Sequence, residues 1–297
     1  MKKITILHLI TPAKNASPFD ANMAFDAGFD NIMPYTNVIL SEVKGLVQDA
    51  MFSRSPSGVK SEAIFIGGRD IDLAMDMLEA AKKATFSPFE ISLFADPSGA
   101  FTTAAAMVAK VEFHLKQHFK TDLKGKKVAV FGATGPVGGC VAVMAAKQGA
   151  QVELIAHSNI YEARHKAESY NQRYGTNIGS ADGRTDAPKQ KVLDRADVAL
   201  CCAAAGIRVL TSKQISHSKT LMVIADVNAV EPTGVEGVDI HADGALIQNT
   251  SMLGIGALAI GDLKYKTQHK MLKQMLNTDK PLYLEFMAAF EMARSLT

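Results

Sequence analysis

A chain of 297 residues with 47% hydrophobic and 21% charged side chains is long enough for two domains and apolar enough to bury a substantial core. Its 32 Lys and Arg against 30 Asp and Glu leave a net charge of +2, which excludes a general electrostatic attraction to nucleic acid or to an acidic membrane surface. No apolar run approaches the roughly 20 residues that span a bilayer. The three cysteines, two of them adjacent, offer neither a disulfide framework nor a metal-ligand spacing, so no metal is expected and a reducing cytoplasm fits.

Residues 4–10 read as a buried first strand rather than a signal peptide, because no small-residue cleavage site follows cleanly. A loop rich in Pro, Ser and Asn leads to helical spacing over 19–28, with Phe19, Met23 and Phe25 apolar. Asp20 stands at the start of that helix, where a carboxylate caps free N–H groups. A strand over 31–35, a helix over 41–50, a strand over 63–66, an amphipathic helix over 70–84 and a strand over 90–95 follow. The loop 96–101 then enters a strong helix over 102–116. This alternation predicts a first α/β domain over residues 1–122.

A second domain, over 123–266, opens with KGKKVAVFGATGPVGG. An apolar strand over 128–131 runs into Gly132, Gly135 and Gly138, and a helical pattern follows. Strand, tight turn and helix in this order are the context that makes a glycine pattern a dinucleotide loop. Gly132 turns the chain off the strand, Gly135 admits a pyrophosphate and Gly138 lets the helix approach the sheet. Pro136 suits the first helical turn, and Thr134 and Val137 complete the loop. The spacing is G-x-x-G-x-x-G rather than G-x-G-x-x-G, a form that suits NADP-type enzymes. Further strands are expected at 151–156, 196–202 and 221–225, with a long polar helix over 160–174. Ala204 lies in the small-residue loop after the third of these strands. Asp226 and Asn228 close the fourth, either to meet the nicotinamide or as turn chemistry before Pro232. One more short strand over 245–253 precedes a helical tail that begins at 261, with a break at 279–281. Its residues 267–297 are expected to pack back across the first domain. A crevice between the two domains is the expected site.

The strand over 151–156 ends in Ala156, His157, Ser158 and Asn159, with no carboxylate to bind a ribose. A histidine and two small polar residues accept a 2′-phosphate without repulsion, and Arg164 and Lys166 follow on the next helix. This favours NADP over NAD; a permissive site would take either.

Five stretches carry a wider resemblance: SPFDANMAFDAGF (17–29), IFIGG (64–68), FADPSGAFTTAAAMVA (94–109), ADVNAVEPTG (225–234) and GIGALAIGDLKYKTQ (254–268). Together they resemble the methylene-tetrahydromethanopterin dehydrogenases of bacteria that oxidise one-carbon compounds. The NAD(P)-dependent branch is the nearer one, and the NADP-specific branch that also accepts tetrahydrofolate is more distant. The resemblance covers almost the whole chain. It implies an N-terminal pterin domain, a Rossmann-like cofactor domain and a homo-oligomer in the cytoplasm. The implied reaction is hydride transfer from the methylene bridge of the pterin to NAD(P), within formaldehyde oxidation. The protein's share is alignment of the two rings and stabilisation of the growing cation.

Within this resemblance Lys264, in GDLK, matches the family's active-site lysine, and Asp20 is the candidate carboxylate that pairs with it or faces the cation. Their plainer readings are a surface lysine and a helix cap. Asp96, Thr102 and Thr103 are candidates to hydrogen-bond the pterin or its arm, with a loop and a helix cap formed by Thr102 or Thr103 as the alternative. Two other functions are open. A methylene-tetrahydrofolate dehydrogenase with cyclohydrolase activity is disfavoured, because Tyr265 adjoins Lys264 and helix neighbours point apart. A redox sensor would bind a dinucleotide without turnover.

Overall fold

The computed structural model describes residues 4–297. Its elements begin with β1 (Ile6–Ile10), α1 (Pro18–Ala27), β2 (Asn31–Tyr35), α2 (Val43–Phe52), β3 (Glu62–Ile66), α3 (Ile71–Ala84), β4 (Ser92–Ala95) and α4 (Ala100–Phe119). Then come β5 (Lys127–Phe131), α5 (Pro136–Lys147), β6 (Gln151–Ala156), α6 (Ile160–Tyr174), β7 (Gly179–Asp182), α7 (Asp186–Leu193), β8 (Val198–Cys201) and α8 (Ser212–His217). The last are β9 (Val223–Asp226), β10 (Asp243–Leu246), β11 (Leu253–Ile255), α9 (Ala257–Leu276), β12 (Tyr283–Leu284) and α10 (Phe286–Arg294). They form two compact units. One holds the described residues up to Thr102 with Tyr265–Met292, the other Thr103–Lys264 with Ala293–Thr297. No helix of the described residues is long and apolar enough to cross a membrane.

The first unit carries a parallel sheet in the order β12-β4-β3-β1-β2. From β1 the chain moves outward to β2, then returns to the other side of β1 to lay down β3. The carboxyl ends of β1 and β3 therefore flank a topological switch point, where side connections diverge and leave a crevice. Leu7, Leu9, Ile64, Phe65, Ile66, Leu93 and Phe94 are buried, as near-continuous apolar strands are when helices cover both faces. Pro34 is tolerated because β2 is an edge strand.

Caps set the helix starts, and two differ from expectation. Ser17, not Asp20, caps α1: its Oγ accepts from the Asp20 N–H at 3.2 Å, and Pro18 takes the first helical position. The α4 start is not capped by Thr102, whose Oγ1 donates to Asp96 and to Gly99 O. Asp96 caps it, accepting from the backbone N–H groups of Phe101 (2.9 Å) and Thr102 (3.1 Å) and from Thr102 Oγ1 (2.6 Å). A single short side chain satisfies three buried donors. Asp96→Ala is expected to cost about 2–4 kcal/mol of stability, since each orphaned buried donor costs about 1–3 kcal/mol before relaxation. Urea unfolding measures it, and a loss below about 1 kcal/mol would refute this role.

The C-terminal segment returns to the first unit, as expected. It does so through a strand that periodicity did not predict. β12 pairs in parallel with β4, and the Leu93 N–H donates to Leu282 O at 2.7 Å. Phe286 of α10 then packs edge-on against Phe101, centroids 5.5 Å apart.

The second unit has a seven-stranded sheet in the order β10-β11-β9-β8-β5-β6-β7. All pairs are parallel except β10 with β11. The expected single strand over 245–253 is therefore two, turned back through the residues between them. α7 and α8 are helices that the periodicity did not predict; both are short and largely polar. The strand order reverses between β5 and β8, giving this unit its own switch point.

Candidate functional site

Each unit has a cavity at its own switch point. In the second unit, a cavity of about 410 Å³ opens beyond the carboxyl ends of β5, β6 and β8, and Gly132, Thr134, Gly135, Ala156, His157, Gly183, Ala204 and Arg208 contribute to its wall. The turn that makes it has no room for side chains. Gly132 has φ +70°, and a Cβ there would lie 2.5 Å from the Cys202 carbonyl and the Ala203 nitrogen. A Cβ on Gly138 would lie 2.5 Å from Gly132 O and 2.8 Å from Ala133 Cα. The turn is thus folded on itself beneath the start of α5, with Pro136 at the first position and no side chain capping the free N–H groups. Such a cradle fits a diphosphate.

The predicted cofactor positions divide. Gly132, Thr134, Gly135, His157 and Ala204 line the cavity. Pro136, Val137 and Gly138 form the helix start behind it. Ser158 is exposed, and Asn159 caps α6, its Oδ1 accepting from the Tyr161 N–H at 2.9 Å. Asp226 and Asn228 are occupied as braces. The Asp226 carboxylate accepts from the N–H groups of Asn228 (3.1 Å) and Val235 (3.0 Å). Asn228 Oδ1 accepts from the N–H groups of Gly206 and Val230, and its Nδ2 donates to Pro232 O. Burial pushes the Asp226 carboxyl above its ordinary range. Turn chemistry is what both residues perform here, and it shapes the loop that follows β8.

Two cations escaped the sequence reading. Lys189 of α7 lines the cavity and donates to Val209 O at 2.9 Å; Arg208 lines it and donates to Thr233 O at 2.6 Å. Both come from segments without a strong pattern, so only the fold brings them in. Arg164 and Lys166, which were candidates, do not line it. Among the described residues in its wall there is no carboxylate. Glu153 is engaged elsewhere, with Arg195 at 2.7 Å. Burial pushes the thiols of Cys201 and Cys202 up, which makes both poor nucleophiles.

In the first unit, a cavity of about 470 Å³ lies beyond the carboxyl ends of β1 and β3. Thr11, Lys14, Asn15 and Ser17 line it from the loop after β1, Gly67 and Arg69 from the loop after β3, and Ser98 from the loop after β4. Asp20 projects into it from the first turn of α1. Freed from capping, its carboxylate is only 4% exposed and its Oδ1 accepts from Gln268 Nε2 at 2.9 Å. Gln268 is fully buried and comes from α9, 248 residues away. Nothing in the local sequence marks this pairing.

The other predicted residues lie as follows. Asp96 and Thr102 are fully buried, bonded to each other, and stand outside the cavity wall. Thr103 is half-buried in the first turn of α4. Lys264 is half-buried on α9, four residues before Gln268 and so on the same helix face. Tyr265 turns away: its hydroxyl reaches Asp26 at 3.3 Å and its ring stacks on His269.

A doubly wound parallel sheet with a glycine turn folded at its switch point defines the α/β class that binds nucleotides at that point. Shikimate 5-dehydrogenase of Listeria monocytogenes has a similar fold, with a TM-score of 0.53 at 12% identity over 100% of this chain and 98% of that one. Residues 18–98 match the family model described as methylene-tetrahydromethanopterin dehydrogenase, N-terminal. The chain is 44% identical to the NAD(P)-dependent methylenetetrahydromethanopterin dehydrogenase of Methylorubrum extorquens, over 97% of each. It is 32% identical to the bifunctional protein MdtA of the same organism, over 90% of each. The chain belongs to the methylenetetrahydromethanopterin dehydrogenase family.

Proposed function

We propose that this chain is a cytoplasmic NAD(P)-dependent dehydrogenase that oxidises N5,N10-methylene-tetrahydromethanopterin to the methenyl form, in one-carbon and formaldehyde oxidation. The observation that carries the reading is the buried Asp20 carboxylate, held by Gln268 in a switch-point cavity of a chain whose other unit holds a dinucleotide-type turn. Family membership names the reaction that such a pair of sites serves.

When bound, the nicotinamide supplies the acceptor for the hydride that leaves the methylene carbon. The turn Gly132–Gly138 would hold the diphosphate through backbone N–H groups. His157, in the same wall, would meet the adenosine ribose. Lys189 and Arg208, in a wall without a carboxylate, support NADP as the preferred cofactor, because a 2′-phosphate meets cations and no repelling charge there. Asp20 faces the positive charge that grows on the pterin as the hydride leaves. Its fixed position means that little reorganisation is needed when that charge appears. Lys264 orients a pterin carbonyl. Asp96, Thr102 and Thr103 set the start of α4 and the pterin's bed. Asp226 and Asn228 brace the loop after β8, which would lie beside the nicotinamide. No metal enters this scheme, and the chain acts as a homo-oligomer, which light scattering on the purified protein measures.

The test is turnover, followed by reduced-nicotinamide absorbance, with methylene-tetrahydromethanopterin and methylene-tetrahydrofolate each offered with NAD and NADP. Turnover of the methanopterin substrate is expected, faster at low cofactor with NADP. Turnover of the folate substrate alone would transfer the assignment to a folate dehydrogenase. Dinucleotide binding without turnover of either would leave a sensor.

A further inference from the structure

The cavity beyond β1 and β3 is asymmetric in charge. Its buried part carries the Asp20 carboxylate, which accepts from the Gln268 amide. Its rim carries Lys14 and Arg69, both exposed. Among the described residues neither side chain has a hydrogen bond or an ion pair. Lys14 stands on the loop after β1 and Arg69 on the loop after β3, and these strands are paired neighbours in register. The loops themselves are anchored: the Ala13 N–H donates to Thr11 Oγ1 at 3.2 Å, and Ser98 Oγ donates to Gly68 O at 2.9 Å. Two unpaired cations are thus carried by two anchored loops at the mouth of one crevice. A ligand that fits has an uncharged or cationic head near Asp20 and an anion at the other end.

We infer that Lys14 and Arg69 bind an acidic group, a carboxylate or a phosphate, on the part of the pterin substrate remote from its one-carbon bridge. This rests on the proposed dehydrogenase reading. The two cations make charge-assisted hydrogen bonds to that group, and a guanidinium can do so with two parallel bonds. They set how tightly the substrate is held and which carrier is preferred. They take no part in hydride departure, so their contribution falls on KM rather than on kcat.

The experiment compares the wild-type chain with the Lys14→Gln/Arg69→Gln double variant, using methylene-tetrahydromethanopterin at low and at raised salt. The KM for the pterin is expected to rise about tenfold or more in the variant, with kcat at saturation within about threefold. Dinucleotide KM should be unchanged, and the circular dichroism spectrum should match wild type. Wild-type KM should climb with salt, and the variant's should climb less. Inorganic phosphate and glutarate, tested as competitors against the pterin, distinguish the two anions: the stronger competitor names the group, and both should lose effect in the variant. Wild-type turnover with a variant KM within twofold would overturn the anion site and leave the dehydrogenase intact. No wild-type turnover on any pterin would overturn the dehydrogenase reading, and the anion site with it.

Discussion

Gly138→Val should reduce dinucleotide affinity by a hundredfold or more, the largest effect expected of any single change outside the reacting groups. The new Cβ would lie 2.5 Å from Gly132 O and 2.8 Å from Ala133 Cα. These are backbone atoms of the turn itself, so no side chain can swing aside. The turn must open or α5 must retreat from it. Overpacking of this kind costs about 1–3 kcal/mol in stability. It also spreads the N–H groups that would hold the diphosphate, and a loss of about 2.7 kcal/mol is a hundredfold in affinity. Calorimetric titration with NADP and NAD reads the affinity, and urea unfolding reads the fold. Gly45→Ala serves as the control. A Cβ there has nothing within 4 Å on the exposed side of α2, and this change should stabilise the chain by about 0.5–1 kcal/mol. A Gly138→Val chain that binds the dinucleotide within threefold of wild type would show that the turn does not form the cradle.

Asp20→Asn should lower kcat by about 10²–10³ while leaving dinucleotide affinity and fold unchanged. The amide keeps the size of the carboxylate and an oxygen that can still accept from Gln268 Nε2. The charge is lost, and one acceptor oxygen becomes an amide donor. Removal of one preorganised group that faces developing charge costs about that factor in other enzymes. Asp20→Ala separates charge from packing. It takes an acceptor from a fully buried amide, and a stability loss of about 1–3 kcal/mol is expected on top of the kinetic effect. Steady-state kinetics on both variants, with unfolding curves alongside, resolve the two contributions. If Asp20→Asn keeps kcat within fivefold while Asp20→Ala unfolds easily, the carboxylate is a packing element and another group faces the pterin cation.

These expectations divide the protein into what local sequence determines and what only the fold decides. The glycine turn was legible residue by residue. Its strand, its three glycines and its helix lie within one short segment, and each acts through its own backbone. The boundaries of β6 and α6 were equally plain, because strand alternation, Asn159 at the start and Gly175 at the end are signals over one or two turns of chain. The parallel runs of β3, β4 and β5 announced themselves as buried apolar segments. The class of fold followed from their alternation with helices.

The first-unit site was only half legible. Asp20 could be picked out, but beside a helix start the same carboxylate reads as a cap. Ser17 takes that task in the structure, and Gln268 turns Asp20 inward from the far end of the chain. Asp96 shows the same limit: Thr102 looked like a cap, and the buried aspartate before it does the capping. β12 is two residues long and exists because β4 offers an edge to it, so no period in its own sequence could reveal it. Lys189 and Arg208 enter the dinucleotide cavity from a short helix and a loop, and Lys14 and Arg69 meet at one crevice because β1 and β3 are adjacent in the sheet. Sequence alone determined the elements whose energetics are local: turns, caps and periodic faces. The tertiary structure decided which side chains share a cavity, because that depends on strand order and on contacts between residues a hundred or more positions apart, which no local pattern encodes.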